Sequence, residues 1–280
     1  LVIRRQRQMC IRDRLRGGSE SFNSSSKIVS LINQTYRDFN LPVGTLQYIP
    51  TTDRSAVGYM LNMDDFIDVI IPRGGKSLIE RVLTDSKVHV IRHLDGICHT
   101  YIHKKSDPNL CKEVTFNAKM RRPGICGATE TILIDYEVLN SHLHMIITAL
   151  QNEGCLVKGD KEILKINDSI ELADETDWAT EYLDKIISIK TIKGGVKEAV
   201  NHINEYGSGH TDAILSEDQL AVDYFLNNVD SGIVMHNTST QFADGGEFGM
   251  GAEIGISTSK VHARGPVGVA QLTSLSLIHI

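Results

Sequence analysis

No long apolar run interrupts this chain of 280 residues. Stretches such as Met145–Leu150 fall far short of the roughly 18–20 residues that a membrane-crossing helix requires, so no membrane partner is expected. Positive charge is not in excess either. The 29 Lys and Arg against 35 Asp and Glu leave a net charge of −6, which speaks against nonspecific nucleic-acid binding. The five cysteines, Cys10, Cys98, Cys111, Cys126 and Cys155, form no C-x-x-C pair. That excludes a disulfide framework and a zinc-knuckle spacing, and points to free thiols in a reducing cytoplasm. Only six prolines and one tryptophan occur, with no proline-rich linker, so two lobes would be joined by short crossings.

What is present is ordinary globular sequence, 41% hydrophobic and 23% charged, which excludes a disordered chain or a fibre. The length suits one large domain or two modest ones. The ends differ from the rest. Residues 1–14 carry Arg4, Arg5, Arg7, Arg12 and Arg14 in a run without helical or strand periodicity. An Arg-rich arm or transit peptide is one reading. The resemblance of RQRQMCIRDR, and of the C-terminal LSLIHI, to translated adapter sequence makes residues 1–14 and 275–280 expected non-native segments.

Between those ends, strand and helix alternate. Helical spacing of Ile28, Val29, Leu31, Ile32 and Thr35 predicts a helix over 24–38, closed by Leu41-Pro42-Val43-Gly44. Then follow a strand at 46–49, a short helix at 55–61, a buried strand at 68–71, a helix at 76–84 and a strand at 88–91. The second half repeats the theme more loosely, with strands at 131–134 and 232–235 and helices near 137–151 and 195–205. Such alternation predicts right-handed βαβ units in two α/β lobes.

Chemistry-bearing residues punctuate this pattern. Gly74 and Gly75 sit between strand and helix, flanked by Arg73 and Lys76. Glycines there let a backbone approach an anion, and a helix N-terminus favours phosphate; a tight turn would also use them. Arg16-Gly17-Gly18-Ser19 is a second such pair, and together they favour a nucleotide cofactor. Cys126 lies in Arg122-Pro123-Gly124-Ile125-Cys126-Gly127, a turn that would expose a thiol for nucleophilic attack. The other cysteines read as small buried hydrophobes. His89, His93, His99 and His103 would scatter across both faces, and no H-E-x-x-H is present, so no metal site is expected. Asn237–Ile256 holds five glycines within eleven residues, with Asp244 before the first and Glu253 before the last. It must be a shaped loop, and long loops in compact domains usually serve function.

DGGEFGMGAEIGIST, followed by KVHARGPVG, resembles the C-terminal signature of the γ-glutamyl phosphate reductases, members of the aldehyde dehydrogenase superfamily. DVIIPRGGKSLIERV, VIRHLDGICHTYI, NAKMRRPGICGATETILI, WATEYLD and INEYGSGHTDAI extend the resemblance in order from about residue 15 to 274. It implies an α/β, aldehyde dehydrogenase-like fold: a partial Rossmann-like cofactor-binding domain at 15–95, a catalytic domain at 96–256 and a C-terminal tail at 257–274. It also implies a cytoplasmic enzyme of proline biosynthesis that reduces L-glutamyl 5-phosphate to the 5-semialdehyde with NADPH, through a thioester on Cys126.

Position by position, Arg73, Gly74, Gly75 and Lys76 match the loop at the NADP phosphates, and Glu181 the carboxylate at the cofactor ribose. Gly207-Ser208-Gly209-His210-Thr211 borders the active site. Asn237, Ser239, Gly245, Gly246, Glu247 and Phe248 match the substrate end. A homo-oligomer and an association with glutamate 5-kinase are further implications. Three departures stand out: Gly127 follows the cysteine where the family usually has Asn, Gln241 replaces a usual Arg, and the first βα units of the cofactor domain are missing. A sheet without those units would expose a strand edge. Two alternatives stay open: an inactive fragment acting as a binding or scaffold module, and a cysteine hydrolase without a dinucleotide.

Overall fold

A computed structural model describes residues 2–8, 12–42, 44–93 and 95–278; Cys10 and Leu94 lie outside them. Two compact units are present, one of residues 1–91 with 269–280, the other of residues 92–268.

In the first unit, β1 (Val2–Gln8) pairs antiparallel with the last strand of the chain, Thr273–Ile278. Neither strand was expected from the sequence. β2 (Asp13–Leu15), α1 (Phe22–Asp38) and β3 (Leu46–Tyr48) form a parallel βαβ unit. After α2 (Ser55–Met60), a second such unit follows: β4 (Val69–Ile70), α3 (Lys76–Asp85) and β5 (His89–Val90). Val57, Leu61 and Val82 form the small core packed against Ile70, Leu78 and Val90. The helices and strands expected here all form, within two residues at each end. β2 straddles the expected boundary at residue 14.

The second unit is a seven-stranded, wholly parallel sheet. In chain order it runs β6 (Cys98–Ile102), α4 (Pro108–Met120), β7 (Thr129–Asp135), α5 (Leu139–Asn152), β8 (Leu156–Gly159), α6 (Lys161–Ile166), β9 (Glu171–Leu172), β10 (Ile186–Ile192), α7 (Val196–Tyr206), β11 (Thr211–Leu215), α8 (Gln219–Asn228) and β12 (Ile233–His236). The spatial order is β12-β11-β6-β7-β10-β8-β9. β13 (Glu253–Ser257) and β14 (Gly265–Gly268) form a separate antiparallel pair, and β15 is the terminal strand of the first unit.

Alternation along β7 explains the layering. Ile132 and Ile134 face a core shared with α4, α5 and α6, whereas Leu133 faces α7 and α8. A strand buried on both sides must be apolar on both, and a parallel sheet requires helices over each face. Burying each such side chain contributes roughly 1.5–3 kcal/mol. α4 starts where the Asp107 carboxylate accepts the Leu110 N–H at 2.8 Å, with Pro108 in the first turn. It stops ahead of Pro123, which disfavours helix for the residue before it. That stop launches the turn bearing Cys126.

Candidate active site

Because the strands are parallel, their amino ends share one edge, and the residues of interest collect there. His93 and Gly96 precede β6, Cys126 precedes β7, Glu181 precedes β10, and Ser208 and His210 precede β11. Sites in open parallel sheets usually lie beyond the carboxyl ends. The candidate residues here lie at the opposite end.

Cys98, Cys111 and Cys155 are buried, whereas Cys126 is partly exposed. Burial pushes the Cys98 thiol well above its ordinary range, and the Cys111 and Cys155 thiols up to about 11. Those three are structural groups. Cys126 is therefore the accessible thiol among the described cysteines.

Gly96 is pressed onto the Cys126 turn. A Cβ added at Gly96 would lie 2.1 Å from the Cys126 carbonyl oxygen and 2.5 Å from its Cα, so only glycine allows this approach. Three bonds hold the contact. The Gly96 N–H donates to Glu181 Oε1 at 2.8 Å, the Ile97 N–H to Ser208 Oγ at 3.0 Å, and Cys98 Sγ to the Cys126 carbonyl at 3.1 Å. Burial raises the Glu181 carboxyl above its ordinary value; the Gly96 N–H works against that shift.

His93, Cys126 and His210 each bring one ligand-type atom within 4.8 Å of the others. The two imidazole rings meet edge-on, with centroids 5.0 Å apart. Burial, helped by His93, holds His210 down to about 3, so it is neutral at physiological pH. Its Nδ1 lies 2.9 Å from Thr211 Oγ1, and its Nε2 is buried without a hydrogen-bond partner. The neighbouring histidines do scatter: His99 Nδ1 bonds buried Asp212 at 3.0 Å and His103 Nδ1 bonds Ser216 Oγ at 2.8 Å. What the sequence concealed is the meeting of His93 with distant His210.

A γ-glutamyl phosphate reductase of Rhodospirillum rubrum is 57% identical over 259 residues, which are 92% of this chain and 60% of that protein. The solved structure of γ-glutamyl phosphate reductase from Thermotoga maritima matches with a TM-score of 0.90 at 40% identity, over 94% of this chain and 63% of that one. Over nearly its whole length the chain is thus similar to γ-glutamyl phosphate reductases. It spans about 60% of the length of the curated relatives it matches. An acetylating aldehyde dehydrogenase from Geobacillus thermoglucosidasius shares the fold, with a TM-score of 0.69 at 16% identity over 94% of this chain and 67% of its own. No family model matches the chain. The expected α/β, aldehyde dehydrogenase-like architecture is thus the one this chain has.

The other site residues expected from the family pattern fall in several places. Gly74 and Gly75 lead into α3 as predicted. Gly74 adopts φ +151, a conformation favouring glycine, and a Cβ at Gly75 would meet nothing within 4 Å. Arg73 is exposed, and Lys76 is placed by its backbone as the first residue of α3. Asn237, at φ +50, spends its side chain inside the fold: Oδ1 accepts the Ser216 N–H at 3.0 Å and Nδ2 donates to Glu217 Oε1 at 3.2 Å. Ser239 is buried and accepts the Gln241 N–H at 3.3 Å. The Gly245 N–H donates to Glu253 Oε2 and the Gly246 N–H to Asp244 Oδ1, while Phe248 is exposed. Glu247 reaches Arg121, five residues before the cysteine, at 3.6 Å.

One constellation had no signal in the sequence. Lys119 on α4 and Glu130 on β7 are fully buried, with Lys119 Nζ 2.5 Å from Glu130 Oε2. The same ammonium lies 5.8 Å from the ring centroid of Tyr182, the neighbour of Glu181. Burial raises the Glu130 carboxyl, more than Lys119 lowers it.

Proposed function

We propose that this chain carries the catalytic portion of an enzyme that reduces L-glutamyl 5-phosphate to L-glutamate 5-semialdehyde and phosphate. The observation that carries the reading is the placement of Cys126: a partly exposed thiol at the amino edge of the sheet, in a chain similar to γ-glutamyl phosphate reductases. The Cys126 thiolate attacks the acyl carbon, the bond from that carbon to the phosphate oxygen breaks, and phosphate leaves with the electron pair. A thioester remains on Sγ. NADPH, when bound, supplies a hydride. The thioester carbon accepts it, the carbon–sulfur bond breaks, and Cys126 is released as thiolate beside the aldehyde.

Each unit, taken by itself, offers residues of a kind suited to part of such a dinucleotide. Gly75 leaves open backbone at the N-terminus of ten-residue α3, where dipole and N–H groups favour a phosphate, and Gly74 supplies the positive-φ turn before it. Exposed Arg73 adds charge before the helix, and Lys76 is the first residue of α3. Glu181, anchored through Gly96 to the cysteine turn, is suited to hold a ribose hydroxyl with its second oxygen. Preference for NADPH over NADH rests on the family resemblance.

The test is semialdehyde oxidation with NADP⁺ and phosphate, measured on the full product of the gene that encodes this chain. Cys126→Ala should abolish turnover while leaving cofactor binding intact. Retention of more than a few per cent activity overturns the nucleophile. Release of glutamate from the acyl phosphate without any dinucleotide would identify a cysteine hydrolase instead, and binding without either activity a scaffold.

A further inference from the structure

We propose that His93, Cys126 and His210 form a reversible binding site for a thiophilic divalent cation, with Zn²⁺ as the representative ion. Two imidazole nitrogens and one thiolate are a borderline-soft set that suits Zn²⁺ or Co²⁺, and no carboxylate belongs to the cluster to favour Mg²⁺ or Ca²⁺.

His210 is already prepared as a ligand. With its proton on Nδ1, donated to Thr211 Oγ1 at 2.9 Å, its lone pair lies on Nε2, the buried atom without a partner. A ring nitrogen fixed by a hydrogen bond, leaving the other for the metal, is the usual outer-shell arrangement. Burial keeps the ring neutral, the form that ligates. His93 and Cys126 are partly exposed and give the ion its entry.

The spacing is close to what coordination needs. Bond lengths of about 2.3 Å to sulfur and 2.0–2.1 Å to nitrogen put tetrahedral ligand atoms roughly 3.3–3.6 Å apart. The three atoms lie within 4.8 Å, so side-chain rotations closing the triangle by about an ångström complete it. Their loops are held by strands of one sheet and by the Gly96 contact. Three protein ligands leave a fourth position for water. On binding, Cys126 loses its proton to solvent, its sulfur lone pair is donated to the metal, and no redox change occurs. Binding stands on this geometry alone. Its consequence, reversible inhibition by capture of the nucleophile, rests on the function proposed above.

The experiment uses the purified protein in a Cys10→Ser background, with Co²⁺ as the spectroscopic probe and no turnover required. One equivalent should produce a thiolate-to-cobalt charge-transfer band, which a chelator removes and Zn²⁺ displaces. Cys126→Ser should lose the band, and His93→Ala and His210→Gln should weaken binding at least tenfold. Thr211→Val should weaken it by roughly 10–100-fold, the usual effect of removing an outer-shell partner. One equivalent of Zn²⁺ should also protect Cys126 from alkylation. A band that survives Cys126→Ser, binding indifferent to His93→Ala, or no protection by Zn²⁺ overturns the proposal. Should His210→Gln fail to fold, partly exposed His93 carries the histidine arm. Loss of reductase activity with an intact cobalt band would overturn the proposed function and leave the metal site standing.

Discussion

Replacing Lys119 with methionine isolates the electrostatics of the buried pair, because methionine keeps an unbranched apolar stem while removing the ammonium. The ammonium lost had stood 2.5 Å from Glu130 Oε2, with both side chains inaccessible, and Glu130 Oε1 has no other partner. A carboxylate stranded there takes up a proton rather than stay charged. Its ordinary value is 4.5, so holding it neutral at pH 7.5 costs up to about 4 kcal/mol, at about 1.4 kcal/mol per pH unit. At pH 5.5 the same reasoning gives about 1.4 kcal/mol. The sign follows from an acid whose folded value is raised: its stabilising contribution is present below 4.5 and lost as pH rises through the folded value. The reference is Lys119→Met/Glu130→Gln, which lacks the titrating group. Urea unfolding at a series of pH values should show the single variant falling steadily below the double one between pH 5 and 7.5. Wild type should fall less steeply, since Lys119 draws the carboxyl back down. Parallel stability curves for the single and double variants would refute the reasoning.

Three further outcomes follow from the geometry. Arg73→Ala with Lys76→Ala should raise the KM for NADPH at least tenfold and the acyl-substrate KM much less, because charge-assisted bonds to phosphate contribute roughly 1.5–3 kcal/mol each; an unchanged cofactor KM would make Gly74-Gly75 only a turn. Oxidation of the semialdehyde in phosphate-free buffer should be slow and rise with added phosphate, since the aldehyde dehydrogenase resemblance of His93-Leu94-Asp95-Gly96-Ile97 implies that His93 replaces the Glu base of hydrolytic members, a base worth about 10²–10⁴-fold; brisk phosphate-independent turnover would point to Asp95, two residues along, as a base. Gln241→Leu should lower stability by about 1–3 kcal/mol, because its Nε2 donates to the Ala118 and Arg122 carbonyls at 2.9 and 3.3 Å and their loss leaves buried acceptors unmet; an unchanged unfolding midpoint would show that water replaces it.

The elements legible in the sequence were those with an apolar period or a glycine stop. α1, α3, α7 and β7 have one or both, and each forms near its expected place. β6 and β11 are central and fully buried, yet their sequences, Cys98-His99-Thr100-Tyr101-Ile102 and Thr211-Asp212-Ala213-Ile214-Leu215, do not read as apolar runs. Their polar residues satisfy one another across the sheet: Asp212 Oδ1 accepts both the His99 N–H and its ring, and Thr100 Oγ1 bonds Thr129 Oγ1 at 2.7 Å. A pairing made between strands more than a hundred residues apart leaves no local pattern to read. Lys119 and Glu130 are only eleven residues apart, but they lie on different elements, α4 and β7, so no single period along the chain pairs them.

Positions of candidate residues were legible wherever a local turn announced them. Pro123-Gly124 marked Cys126, and the glycine pair marked the start of α3. His210 and Gly96 carried no such mark, since their roles arise only when parallel strands bring distant amino ends together. The departures from the family pattern gain their meaning in the same way. Gly127 and Gln241 are more than a hundred positions apart, but a Cβ at 127 would lie 3.3 Å from the Thr240 carbonyl oxygen and 3.8 Å from the Gln241 Cα. A larger residue at 127 needs that carbonyl to give by a few tenths of an ångström, and the carbonyl sits one residue before the side chain that closes the end of α4. Two substitutions that look independent in the sequence therefore act on one contact. That contact joins the helix that delivers the cysteine turn to the loop that follows β12.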